Sequence, residues 1–371
     1  MRRFTTLLYT CFSLIFLVTA CSEPEKPATR EEAAALAKSL ESSMAKHSAA
    51  RFNEVLDAES LRNRIMEAGK KKIDSRIVDG AIKELKTGQL GTQITQSLGK
   101  DGTYQLVKQY EKDQKQHLIF RLYADSKLNY HDFEVIKKKD QVKIGDIFIY
   151  ITGETLSATL AESAMLMSEN LSSLSSVDKD HVANIKRIRQ LINGQDYEQA
   201  NRIYKSLPAI LRQTKIFKMM YVQIASGLGN DEYLKAMTDY QQAYPDAPNM
   251  YLLMIDAYIL KEQHEKALAS VNQLDALINK DPFLDYYRGL IYKMMGNKEK
   301  QREHFELLDK NMPAFYEGTL ELLVTYLDNK ETDKAVALVN SRSSNYKKIP
   351  SDQRETLYLM YPDFKKKMDA E

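Results

Sequence analysis

Three stretches decide how this chain folds: EQHEKALASVNQL (Glu262–Leu274), GNKEKQREHFELL (Gly296–Leu308) and DNKETDKAVALVN (Asp328–Asn340). They share few letters but align at a fixed step. Ala267, Gln301 and Ala335 are separated by 34 residues each, and Val271, Phe305 and Val339 keep that step four positions later. A tyrosine lies nine residues before each anchor, at Tyr258, Tyr292 and Tyr326. Pro248 and Pro282 mark the starts of two units, and Pro313 precedes the third. A period of this length means one supersecondary unit that cannot bury its apolar face alone and is completed by stacking on its neighbours.

Thirty-four residues read as helix, turn, helix resemble the tetratricopeptide repeat. The small anchor lets two antiparallel helices approach, and the larger residue beyond it fills the groove. Ala200 with Tyr204, and Ala236 with Tyr240, occupy the same roles upstream, at irregular spacings of 36 and 31 residues to the next anchor. The expectation is five degenerate repeats over 181–349. The chain departs from the repeat pattern in having no Trp and in placing Gln301 at a crossing, while Arg288-Gly289 retains the small residue of the first helix. The resemblance implies that first helices line the inner surface. Tyr251, Tyr287 and Tyr316 are then candidate recognition residues, since aromatic anchors with a polar handle suit protein interfaces. Tyrosines nine before the anchor read as core. Residues 350–371 read as a capping helix near Gln353–Met360 and a solvated polar tail.

Working outward toward the N-terminus, the Ser-rich run around 166–180 reads as a linker. Before it, residues 29–165 read as an α+β domain. Thr29 stands three residues before Glu32, a capping box opening an Ala-rich helix. Helical segments are expected over about Glu31–Lys46, Ala50–Glu67, Ser75–Leu85 and Gln89–Leu98. Four strands follow, over about Tyr104–Glu111, Gln116–Tyr123, Asn129–Lys138 and Val142–Ile151, joined by short polar separators into an antiparallel meander. Helices followed by a meander with a long last hairpin resemble the NTF2-like (cystatin-like) group, although the turn at Lys139-Asp140-Gln141-Val142 lacks that group's Gly and Trp. That resemblance implies a cavity.

Arg121, His131 and Asp146 are the cavity's candidate polar groups. His131 oriented by Asp146 makes a base, and Arg121 holds an anion. Asp146 joins His131 if the last turn is Asp140-Gln141 and moves to the other face if the turn has three residues, because one step of register flips every side chain. No nucleophile elbow, zincin motif or phosphate loop is present. His47, His117 and His131 are not spaced as metal ligands, and Asp132 with Glu134 is a weak cation pair. No metal and no cofactor are expected.

The N-terminus reads as a signal segment over residues 1–20. Arg2 and Arg3 precede an apolar stretch of about twelve residues, short of the ~20 a membrane span needs. Val18-Thr19-Ala20-Cys21 resembles the bacterial lipobox, which implies cleavage between Ala20 and Cys21, lipidation of Cys21 and, with Ser22 next, sorting to the outer membrane. Processing removes Cys11 and consumes Cys21, so no thiol chemistry remains. Residues 21–28 read as a polar tether. Without Arg2 and Arg3 the 53 basic side chains fall to 51, equal to the 51 acidic ones, and no basic field points to nucleic acid. The sequence therefore predicts a lipid-anchored, non-enzymatic envelope scaffold that binds a protein or peptide. The alternative is an enzyme or small-ligand binder using the N-terminal cavity.

Overall fold

The computed structural model describes residues 24–69, 73–171, 177–245, 247 and 249–370. Ala20, Cys21 and Pro248 lie outside them. The described chain opens with a two-residue strand, β1 (Lys26–Pro27), then α1 (Arg30–Met44), α2 (Ala50–Val55), α3 (Ala58–Ala68), α4 (Ser75–Lys86) and α5 (Gln89–Ser97). The capping box at α1 is formed: Thr29 Oγ1 accepts from the Glu32 amide, and the Glu32 carboxylate accepts from the Thr29 amide at 2.9 Å. Ala33, Leu36, Ala37, Leu40 and Met44 are buried, the stripe an amphipathic helix turns to its core.

Next come β2 (Thr103–Lys112), β3 (Lys115–Ala124), β4 (Lys127–Lys138), β5 (Gln141–Ile149), the two-residue β6 (Glu154–Thr155) and α6 (Leu156–Leu171). The sheet has six strands rather than four. β2 to β6 run in sequence order, and β1 adds alongside β4, pairing Lys26 with Lys137. The three long hairpins close through two-residue turns, Asp113-Gln114, Asp125-Ser126 and Lys139-Asp140, each with both residues at positive φ. This mirror-image turn matches the twist of the flanking strands. Residues read as separators therefore join the strands.

The helical remainder is a series of antiparallel pairs. They are α7 (Val177–Asn193) with α8 (Tyr197–Ser206), then, past the short α9 (Ala209–Arg212), α10 (Lys215–Leu228) with α11 (Asn230–Ala243). α12 (Met250–Leu260) pairs with α13 (His264–Leu277), α14 (Leu284–Met294) with α15 (Lys298–Asn311), and α16 (Tyr316–Asp328) with α17 (Thr332–Ser341). α18 (Ser343–Lys348), α19 (Ser351–Met360) and α20 (Pro362–Met368) close the array.

Ala200, Ala236, Ala267 and Ala335 are buried, as are Tyr204, Tyr240, Val271, Phe305 and Val339 four positions on. Gln301 fits the crossing because its Nε2 donates to Thr325 Oγ1 at 2.9 Å, satisfying a buried amide. Gly289 makes room opposite: a Cβ there would stand 2.4 Å from the Phe305 ring. Tyr258, Tyr292 and Tyr326 are only half-buried, not core. The second helix covers two of these rings with cations, Lys266 over Tyr258 and Lys334 over Tyr326, and the third with a stacked His304 against Tyr292.

Three boundary expectations need correction. The tether is partly a strand: β1 is paired, and Ala28 is buried. The linker is shorter than 166–180, because α6 runs to Leu171 and α7 starts at Val177. The polar tail folds as α20, whose Phe364 is fully buried among residues of the last repeat.

The sheet is sandwiched. Leu118, Phe120, Phe133, Val135, Ile144 and Ile147 point to the N-terminal helices. Ile119, Tyr123, Leu128, Tyr130 and Tyr150 point the other way and share one core with α12, α13 and α14. The face turned away from the N-terminal helices is filled by the repeats.

Candidate functional site

The polar groups chosen from the sheet do not converge. β3 pairs with β4 so that Phe120 faces His131 and Arg121 faces Tyr130, which sets Arg121 and His131 on opposite faces. The last hairpin turns at Lys139-Asp140, a register that by itself would have put Asp146 on the His131 face. A bulge at Gly145 then shifts the pairing by one, and Asp146 lies opposite Glu134 instead.

Each of the three side chains is engaged elsewhere. His131 is buried, and burial pushes its imidazole down to about 4. Asn129 Oδ1 accepts from the amides of Tyr130 and Ile151, at 2.8 and 3.0 Å, which fixes the orientation of that amide. Its Nδ2 therefore donates to His131 Nε2 at 3.1 Å, leaving Nδ1–H to donate to Tyr104 Oη at 2.9 Å. Neither ring nitrogen is free to act as a base. Asp146 accepts from the Ile147 and Ser157 amides, at 2.8 and 3.2 Å, and from the Ser157 hydroxyl; it fastens the first turn of α6. Burial raises its carboxyl above the usual range.

Arg121 belongs to the seam between sheet and repeats. Its Nη1 donates to both Asp281 oxygens, at 2.6 and 2.8 Å, and Nη2 donates to Gln105 Oε1 at 2.6 Å. The two side chains of this pair are 5% and 1% exposed, so the charges are out of water. Tyr130 Oη donates to Asp281 at 2.9 Å, as does the Phe283 amide at 3.0 Å. The guanidinium lies 4.7 Å over the Phe283 ring. Tyr123 packs on Phe283 at 4.6 Å and on Phe315 at 5.7 Å. Asn249, fully buried, donates to the carbonyl of Ile151 at 3.0 Å and to Tyr240 Oη at 2.8 Å. Lys215 pairs with Glu154 at 2.6 Å. The period could not reveal this seam, because Asn249, Asp281 and Phe283 sit just before first helices, where the repeat leaves residue type open.

A second cluster escaped the sequence. Asp132 accepts from Tyr110 Oη and is 3.1 Å from His117 Nδ1, with Tyr110 and His117 rings stacked at 5.0 Å. The turn at Asp125-Ser126 makes His117 and Asp132 diagonal neighbours on one face; knowledge of that turn was the missing signal. Glu134 is taken by Arg64 and by Lys115, the latter at 2.8 Å. The two carboxylates thus hold protein partners rather than forming a cation pair. Among the described residues no group of three or more His, Cys, Asp or Glu side chains could hold a metal.

The recognition tyrosines divide three ways. Tyr251 is 38% exposed on the first turn of α12. Tyr287 is buried in the seam core, 6.0 Å from Phe283, and is not a surface residue. Tyr316 is half-buried against the last repeat. Among the exposed apolar residues, Leu260, 42% exposed, and Met294, 50% exposed, occupy equivalent positions ending α12 and α14. Beside them Lys293 bridges to Glu321 of the next first helix at 2.8 Å. A shallow groove of about 710 Å³ along α15 is lined by residues that pair among themselves, including Arg302 with Glu306 at 2.8 Å.

This geometry defines a two-part protein: an α+β domain whose sheet is sealed by a tetratricopeptide-like array. No protein-family model and no curated protein matches the chain. Among solved structures, a crystal structure of MamA protein is similar with TM-score 0.37 and 16% identity, over 45% of this chain and 92% of that one. A further MamA crystal structure gives 0.35 and 17%, over 43% and 94%. At that level of likeness the helix pairs themselves, and not the neighbours, define the array.

Proposed function

We propose that the protein is a lipid-anchored envelope scaffold, held through Cys21 on the periplasmic side of the outer membrane, which binds a protein or peptide segment along the first helices of its repeats. The observation that carries the binding role is an uncovered apolar pair, Leu260 and Met294, in register at the ends of neighbouring first helices. The sheet closes part of the repeat surface, and this strip remains for a partner. An apolar side chain docking there would be flanked by the Lys293–Glu321 pair, which sets charge register rather than affinity. The lipobox-like Val18–Cys21 supports the anchor. The N-terminal domain is best read as an NTF2-like fold whose open side the repeats have filled, which supports a structural role. The enzyme alternative is disfavoured because Arg121, His131 and Asp146 are spent on three separate contacts.

The test is photo-crosslinking in cells from a probe residue at Leu260, with a second probe at exposed Lys310 of α15. A defined partner captured from position 260 and not from 310 is expected, with capture reduced at least tenfold by Met294→Glu, since a charge buried against an apolar side chain is costly. An unchanged pattern in Met294→Glu sinks the assignment of this strip.

A further inference from the structure

We infer that the N-terminal domain is a rigid spacer that stands end-on on the membrane and holds the repeats away from it; this rests on the reading of Cys21 as the lipid-bearing residue. The segment expected to be a tether is pinned almost at once. Glu25 is gripped by both Arg64 Nη atoms, each at 2.7 Å, and Arg64 also binds Glu134 of β4. β1 follows directly, pairing Lys26 with Lys137 and Pro27 with Ile136, and Ala28 is buried. From Cys21 to Glu25 the chain has four residue steps, a reach of at most about 14 Å. A lipid at Cys21 therefore holds one end of the sheet at the bilayer.

That end is defined by the fold. It carries β1 and the turns Asp113-Gln114 and Lys139-Asp140, because Lys115 lies 4.0 Å from Glu25 and Lys137 is the partner of Lys26. Exposed Lys26, Lys112 and Lys139 stand around the anchor, where ammonium groups meet lipid phosphates. The turn Asp125-Ser126 is at the other end of β3, whose ten residues span about 33 Å. Tyr123 and Leu128, flanking that far turn, pack into the repeats together with Ile119 and Tyr130 further along the strands. Arg121, Tyr123 and Leu128 thus meet the repeats toward the end of these strands opposite the anchor. Because the buried Arg121–Asp281 pair ties the far end to α14, the sheet transmits the anchor's position to the array as one body.

The chain contains no Trp, so single introduced tryptophans report position without background. Gln141→Trp and Lys127→Trp place an indole on exposed strand residues beside the near turn and the far turn. The full-length protein is reconstituted in vesicles of phosphatidylethanolamine and phosphatidylglycerol containing a headgroup-spin-labelled lipid. Mass spectrometry of the N-terminal peptide is run on the same sample, and circular dichroism checks the fold. Quenching at position 141 at least fivefold greater than at 127 is expected, and Arg64→Met, which releases Glu25, should shrink that difference. Equal quenching in protein whose mass shows an acylated Cys21 overturns the spacer alone. An unmodified Cys21 overturns the anchor reading and the spacer with it.

Discussion

Breaking the Arg121–Asp281 pair from either side should be costly, and the two sides should not cost the same. Removing one member of a buried pair leaves an uncompensated charge, at roughly 3–5 kcal/mol. In Arg121→Met the Asp281 carboxylate keeps the Tyr130 hydroxyl and the Phe283 amide, so the loss should fall near the lower bound, about 3 kcal/mol. In Asp281→Asn the guanidinium loses its counter-charge and one of two acceptor oxygens, keeping Gln105, the face of Phe283 and a single neutral amide oxygen, and its Nε already lacks a partner. That loss should approach about 5 kcal/mol. The double variant Arg121→Met/Asp281→Asn buries no charge and should come within about 2 kcal/mol of the parent. Urea unfolding by circular dichroism gives the totals. Hydrogen exchange of β3 and α14 gives the local effect, which matters because a two-part protein need not unfold in one step. Two singles of equal size that simply add in the double, within about 0.5 kcal/mol, would show that the pair does not act as a unit and refute the seam as described.

Two more outcomes follow from individual side chains. His131 stays neutral in the folded protein down to about 4, while in the unfolded chain it takes up a proton near 6.5. Its contribution is therefore complete above pH 6.5 and is lost as pH falls toward 4, amounting to about 2 kcal/mol between pH 6.5 and 5. His131→Gln should flatten that part of the stability–pH curve, and equal slopes in parent and variant would contradict it. Gly289→Leu should lower stability by at least about 2 kcal/mol, because the added side chain meets the Phe305 ring in a filled crossing; an unchanged urea midpoint would show that α14 and α15 do not approach so closely.

The repeat array was legible because helix pairs impose chemistry at a fixed interval. A small residue at the crossing and a filler four positions on are needed whatever else varies, so Ala267 with Val271 and Ala335 with Val339 announce themselves. Even Gln301 kept the period while breaking the residue type, and the structure supplies the reason in Thr325. The tyrosines were ambiguous from sequence, because a helix shows which face a residue is on but not what covers that face. Tyr251 and Tyr287 were alike on paper; the sheet buried one and left the other exposed.

The sheet site failed for a sharper reason. Strand alternation fixes which residues share a face within one strand, but pairing between strands depends on turn length and bulges. Turns of two residues with positive φ, formed by Asp-Gln, Asp-Ser and Lys-Asp without glycine, were not read, nor was the bulge at Gly145. A single inserted residue sent Asp146 away from His131, while the Asp125-Ser126 turn set His117 beside Asp132.

By itself the sequence determined what is local: helices with their caps, strands with their alternation, and a period that forces stacking. Only the tertiary structure decided that the sheet fills the repeats' side, that Arg121 is a structural cation rather than an anion site, and that Glu25 is pinned by Arg64. Those outcomes turn on pairs as much as 160 residues apart, Arg121 with Asp281, and no local propensity encodes a partner at that distance. Burial energy selects it only when the whole chain is packed.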